Sequence, residues 1–197
     1  MALQQTIEPI FISEAEYLAS EAESAVKHEY IGSQVHAMAG ASYNHNCVAA
    51  NMLRKFGNHL EGTPCAPFMA DMKVRIGQDY VYPDVLVDCS KLSGSDSVST
   101  SPVIIVEVLS RSTRKTDTTT KLLRYINLPS LQEYVMIEAD IVSVQVLRRK
   151  NQWLPEYYFL GDVVTFEAIG LDLSVEAIYD RVDNPDIDEF RQPGYRA

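Results

Sequence analysis

An α/β (α+β) chain, with a mixed central β-sheet flanked by helices, is what this sequence predicts, and three observations predict it. Pro102-Val-Ile-Ile-Val-Glu-Val-Leu109 is a nearly unbroken apolar run, the pattern of a strand buried on both faces. Ser42 opens a segment in which Val48, Met52, Leu53 and Phe56 recur at helical spacing, so a core helix is expected there. Residues 131–138, 141–149 and 152–160 are strand-like runs joined by Ala139-Asp140 and Lys150-Asn151, the signature of a C-terminal antiparallel meander.

The other elements follow in order. Residues 13–23 read as a short acidic helix, with Ser13 as N-cap and Glu16 at the capping-box spacing. Residues 28–38 read as an N-terminal hairpin turning at Gly32-Ser33, with a break at Gly40-Ala-Ser42 before the core helix. Residues 68–76 alternate from Met72 onward and read as one strand. Gly77-Gln-Asp79 turns it into a second strand, residues 80–88, which carries Asp84. The serine-rich residues 90–101 read as a loop. A helix is expected to run to Leu128, where Pro129 ends it. Asp117, Lys121 and Tyr125 form its polar stripe, while Leu122, Leu123 and Ile126 face elsewhere. Residues 161–166 and 171–179 read as a further strand and a last short helix, and 183–197 as a poorly packed acidic tail. The expected division is a helical lead-in over 1–24, one domain over 25–180 and a tail over 181–197.

With 197 residues, 46% hydrophobic and 22% charged, one well-buried core is expected. A net charge of −10 argues against nonspecific attraction of the whole molecule to nucleic acid. Its distribution is uneven: Arg111, Arg114, Lys115, Lys121 and Arg124 collect within residues 110–125, against Asp117 alone. Cys47, Cys65 and Cys89 show no CxxC spacing, so neither a disulfide framework nor a zinc knuckle is expected. The histidines show no zinc spacing either, and His45 reads as a capping or packing residue. No apolar run approaches the roughly 20 residues of a membrane helix, and no basic-then-apolar leader precedes the first helix. A cytoplasmic protein is the expectation.

The chemistry centres on Asp84, Glu107 and Lys121. Glu107 shares its strand face with Val103, Ile105 and Leu109, so its carboxylate sits against an apolar wall, where an unpaired charge is costly. A cation, a metal or a raised pKa relieves that cost. Asp84 and Glu107 suit Mg²⁺ (or Mn²⁺), the backbone carbonyl of Val108 would add a third oxygen, and Lys121 would orient water or stabilise charge on a phosphate. The structural alternative stays open: Asp84 as a turn residue, Glu107 in an ion pair, and Lys121 as the i,i+4 partner of Asp117. Accessory candidates are Glu29 as a further ligand, Ser112, Arg114 and Lys115 toward phosphates, and Asp117 and Tyr125 on the stripe of Lys121. A strand-surface acid, a helix cap and solvated cations are their plain readings.

Pro83-Asp84, then Val106-Glu-Val-Leu-Ser-Arg-Ser-Thr113, then Asp117, Lys121 and Tyr125, then Glu133-Tyr-Val-Met-Ile137, resemble the Uma2 family. Upstream, Glu29-Tyr-Ile31 and Ser42-Tyr-Asn-His45 join the resemblance, which covers about residues 25–180. That family lies in the PD-(D/E)XK superfamily, so the resemblance implies a restriction-endonuclease-like core and a metal-dependent endonuclease acting on DNA, often as a homodimer. Asp84 and Glu107 match the metal-binding acids. The motif lysine does not match, since Leu109 stands two residues after Glu107, and the role would pass to Lys121. That departure and the acidic net charge keep a second expectation in view: a noncatalytic nuclease fold that binds nucleic acid or protein. A two-carboxylate glycosidase lacks an aromatic sugar platform beside the acids.

Overall fold

The computed structural model describes residues 11–38, 40–110 and 113–190. Helix α1 (Glu14–Glu23) begins on the predicted capping box: Glu16 N donates to Ser13 Oγ at 3.3 Å and Ser13 N to Glu16 Oε2 at 2.8 Å. Strands β1 (His28–Ile31) and β2 (Gln34–Ala37) pair antiparallel around Gly32 and Ser33, whose φ values of 60° and 65° give the hairpin the hand its strands require. Helix α2 (Tyr43–Leu60) starts at Ser42, whose Oγ accepts from His45 N, and runs through Gly57.

The expected strand over 68–76 is two strands in two sheets. β3 (Ala66–Met69) and β4 (Lys73–Ile76) are separated by a turn at Ala70, with φ 45°. The expected strand over 80–88 is likewise broken, into β5 (Asp79–Val81) and β6 (Val85–Asp88). Pro83 has no N–H to offer a ladder, and the chain uses that position to cross from one sheet to the other. Asp84 therefore sits in the bend and not on a strand. Within the serine-rich segment, β7 (Val98–Ser99) pairs parallel with β4, and Ser99 Oγ donates to Asp88 Oδ2 at 2.5 Å.

β8 (Pro102–Leu109) is followed by a helix that is π-helical over Thr116–Lys121 and continues as α3 (Leu122–Tyr125). The predicted meander is present as β9 (Glu133–Glu138), β10 (Val144–Arg148) and β11 (Pro155–Tyr158). β12 (Val163–Phe166) pairs with β13 (Leu171–Ser174), which leads into α4 (Val175–Ile178), so the expected last helix begins as a strand. The chain then forms α5 (Pro185–Phe190), with Ile187 buried. That much of the expected loose tail is packed, because Ile187 joins the main core; residues 191–197 lie outside the described residues.

Six strands in the order β11-β10-β9-β8-β6-β3 make the central sheet, mixed because β8 and β9 run parallel while its other pairs are antiparallel. β2-β1-β5-β4-β7 form a second sheet. Val85, Val87, Ile104, Val106 and Val108 face α2 and its Val48, Met52 and Phe56. On the opposite face Leu86, Ile105 and Leu109 meet Tyr125 of α3 together with Tyr134 and Met136. The central sheet is thus covered on both sides, and alternation along β8 puts Glu107 on the face of Ile105 and Leu109. Phe56 meets Phe166 edge-on at 5.0 Å in the first layer. Phe56→Ala is expected to cost about 3–5 kcal/mol, read as a lower urea midpoint at unchanged slope.

One expectation is corrected outright. Cys65 and Cys89 are disulfide-bonded and Cys47 is free. β3 and β6 pair with Ala66 opposite Asp88, so the residues just beyond that pair face each other across the sheet end. No CxxC spacing is needed when strand register brings distant cysteines together. Among the described residues no helix is long and apolar enough to cross a membrane.

Candidate active site

Glu107 projects from β8 beneath the π-helical segment. Its Oε1 accepts from Lys121 Nζ at 3.2 Å and from Tyr125 Oη at 2.8 Å. The stripe of Asp117, Lys121 and Tyr125 is therefore the buried face of that helix, whereas Leu123 is 62% exposed. Lys121 Nζ also lies 2.8 Å from Glu29 Oε1, delivered by β1. Asp117 Oδ1 is 3.2 Å from the same nitrogen but lacks hydrogen-bond geometry, so it acts on Lys121 through charge alone. Glu29 Oε1 further accepts Tyr82 N–H at 3.0 Å, tying the lysine cluster to the bend that carries Asp84.

Asp84 Oδ2 accepts Val108 N–H at 2.7 Å, which places it beside Glu107 on the sheet. His45 Nε2, from the first turn of α2, lies 3.2 Å from the same oxygen. His45 is thus neither the cap, a role Ser42 fills, nor simple packing. Ser42-Tyr-Asn-His45 was the available signal: a cap followed by a histidine at the third helical position points that side chain past the helix end. Glu29, His45, Tyr82, Asp84, Glu107, Val108, Asp117 and Lys121 line one cavity of about 850 Å³, whose walls also include Met38, Met69 and Thr120.

Electrostatics explain the clustering. Burial first, with Asp117, Asp84 and Glu29 adding to it, pushes Glu107 well above the usual carboxylate range against the pull of Lys121. Burial alone would lower Lys121. Glu107, Glu29 and Asp117 outweigh it and hold the ammonium above the ordinary lysine value. For His45, burial pulls downward, and the hydrogen bond and charge of Asp84, helped by Val108, prevail and raise it. Glu29, Asp84, Glu107 and Asp117 face the cavity, and Lys121 is the ammonium shared by Glu29, Glu107 and Asp117, an oxygen-rich set of the kind a hard divalent cation takes.

The remaining candidates part company with this cluster. Arg114 is bound by both nitrogens to the carboxylate of Glu138, so it is engaged rather than held out to a phosphate. Arg124 pairs with Asp79 at the hairpin. Lys115 is exposed, and Ser112, like Arg111, lies outside the described residues. The basic residues of 110–125 are therefore largely spent on carboxylates. The structural alternative is met in part: Glu107 is ion-paired and Asp84 occupies a bend, but Lys121 and Asp117 lie together on a buried face and not on the solvated one that alternative requires.

Among the described residues, no three His, Cys, Asp or Glu side chains form a ready-made metal cage. Mg²⁺ does not ask for one, since it keeps several waters and takes one or two carboxylates. Both hydrogen bonds to Glu107 fall on Oε1, and both contacts to Asp84 on Oδ2. Oε2 and Oδ1 are the oxygens left for a hard cation, and these residues fit one.

A family model named Uma2, described as "Putative restriction endonuclease", matches residues 14–176. An uncharacterized protein of Synechocystis sp., slr1290, is 35% identical over 173 residues, spanning 85% of this chain and 91% of that protein. A second, sll1609, is 33% identical over 150 residues, spanning 73% and 85%. Among solved structures, a putative nuclease belonging to DUF820 from Anabaena variabilis superposes with a TM-score of 0.73, covering 85% of this chain and 97% of that one. At 18% identity the two share the fold.

Proposed function

Since this chain belongs to the Uma2 family, we propose that it is a divalent-metal-dependent endonuclease that hydrolyses DNA phosphodiesters in the cavity of Asp84, Glu107 and Lys121. One observation carries the reading: Lys121, from the helix after β8, places its ammonium 3.2 Å from Glu107. Leu109, which stands where the superfamily motif has lysine, is buried in the core, so the positive group is supplied by the following helix instead.

Asp84, Glu107 and the Val108 carbonyl would hold Mg²⁺ or Mn²⁺, which when bound supplies a Lewis acid to a phosphoryl oxygen. Lys121 orients the attacking water or stabilises charge on the scissile phosphate. Tyr125 fixes the rotamer of Glu107 through Oε1, and Glu29 with Asp117 keeps the lysine cationic and in place. The nuclease-fold unit is residues 25–180. The chain is further read as a homodimer, because nucleases of the superfamily it resembles often cut as pairs and an acidic chain needs a locally positive notch, which pairing can assemble, to meet an acidic polymer.

Supercoiled plasmid and a single-stranded RNA, each incubated with the purified chain in Mn²⁺, Mg²⁺ or EDTA, test this directly. Metal-dependent cleavage of the DNA is expected. Binding without cleavage in either metal would favour a noncatalytic module instead. Sedimentation of the purified chain reads the dimer.

A further inference from the structure

We propose that His45 is a positioning residue for Asp84, fixing which carboxylate oxygen faces a divalent cation; this rests on the metal-dependent reading above. The terminal torsion of an aspartate is broad and nearly two-fold, so an Asp at a bend does not by itself present one oxygen. Here two donors from different elements meet on Oδ2: Val108 N–H of β8 at 2.7 Å and His45 Nε2 of α2 at 3.2 Å. Together they stop the torsion and leave Oδ1 as the outward acceptor.

The fold itself does not need an imidazole at this position. The N-terminus of α2 is already capped by Ser42, and His45 Nδ1 is buried without a partner, a cost that a leucine of similar bulk would avoid. A residue kept only for packing has no reason to carry that orphan nitrogen. The contact to Asp84 gives one. Hydrogen bonds that orient a ligating carboxylate set metal affinity without touching the metal.

Calorimetric titration of the full chain with Mg²⁺, Mn²⁺ and Co²⁺ separates the possibilities. His45→Leu is expected to weaken all three by a similar factor, about 10–100-fold, with the thermal midpoint retained or raised. His45→Gln, whose amide Nε2 reaches a comparable point, is expected to restore most of the affinity. Unchanged affinity in His45→Leu, or no recovery in His45→Gln, would overturn the proposal. So would a loss confined to Co²⁺, which marks a direct nitrogen ligand. Wild-type protein that binds none of the three metals would remove the metal-dependent reading and this proposal with it; normal wild-type binding with an indifferent His45→Leu removes the proposal alone.

Discussion

Lys121→Met is expected to lower the stability of the metal-free protein by about 3–5 kcal/mol, the usual consequence of removing one partner of a buried ion pair. The lysine side chain is only 7% exposed, and it is the shared cation of Glu29, Glu107 and Asp117. Methionine fills the same volume but leaves those carboxylates facing one another in a low-dielectric pocket, where like charges and desolvation act in the same direction. The double variant Lys121→Met with Glu29→Gln is expected to recover part of the loss, since it removes the carboxylate closest to the vacated ammonium. Chemical unfolding in urea measures both. A single-variant cost below about 1 kcal/mol, the range of exposed pairs, would mean that Lys121 is solvated and that the buried cluster is not what holds this region.

Asp84→Asn is expected to leave the fold intact and to reduce hydrolysis by on the order of a thousandfold. Asn keeps an oxygen to accept Val108 N–H, so the bend between the two sheets retains its anchor. What is lost is the negative charge. A metal acting as Lewis acid contributes several kcal/mol of transition-state stabilisation, and about 4 kcal/mol corresponds to that factor. Glu107→Gln is expected to lose activity to a similar degree, although a neutral side chain suits the apolar wall of β8 at least as well as a carboxylate. Circular dichroism alongside the cleavage assay separates loss of chemistry from loss of structure. Full activity in Asp84→Asn would remove the assignment.

Much of this arrangement is legible in the sequence where the signal is local or strictly periodic. The capping box at Ser13, the turn at Gly32-Ser33 and the unbroken apolar run of β8 each specify their own geometry. A charged residue inside such a run, as Glu107 is, announces that something must neutralise it. Lys121 and Tyr125 follow from helical spacing, even though the segment bearing Lys121 is π-helical. The residues that sequence reasoning misplaced depend on partners far along the chain. Nothing local to residues 80–88 says that the two halves belong to different sheets, because Pro83 is compatible with a strand edge as well as a crossing. Ala70 adopts positive φ without being glycine or asparagine, so the β3–β4 break carries no turn signature. The bond between Cys65 and Cys89 depends on the register of β3 with β6. Arg114 looked free for a phosphate until β9 brought Glu138 to it. His45 shows its role only against Asp84, which lies in the bend 39 residues on.

Asp84 and Glu107 are expected to share one divalent ion beside Lys121. Diffraction from crystals soaked in Mn²⁺, collected for anomalous signal, tests it most directly. The account predicts a single strong peak at about 2.1 Å from Asp84 Oδ1 and Glu107 Oε2, with the Val108 carbonyl completing the protein ligands and waters the rest. A peak that contacts neither carboxylate, or an ammonium of Lys121 filling the space between the two acids at saturating Mn²⁺, would contradict it.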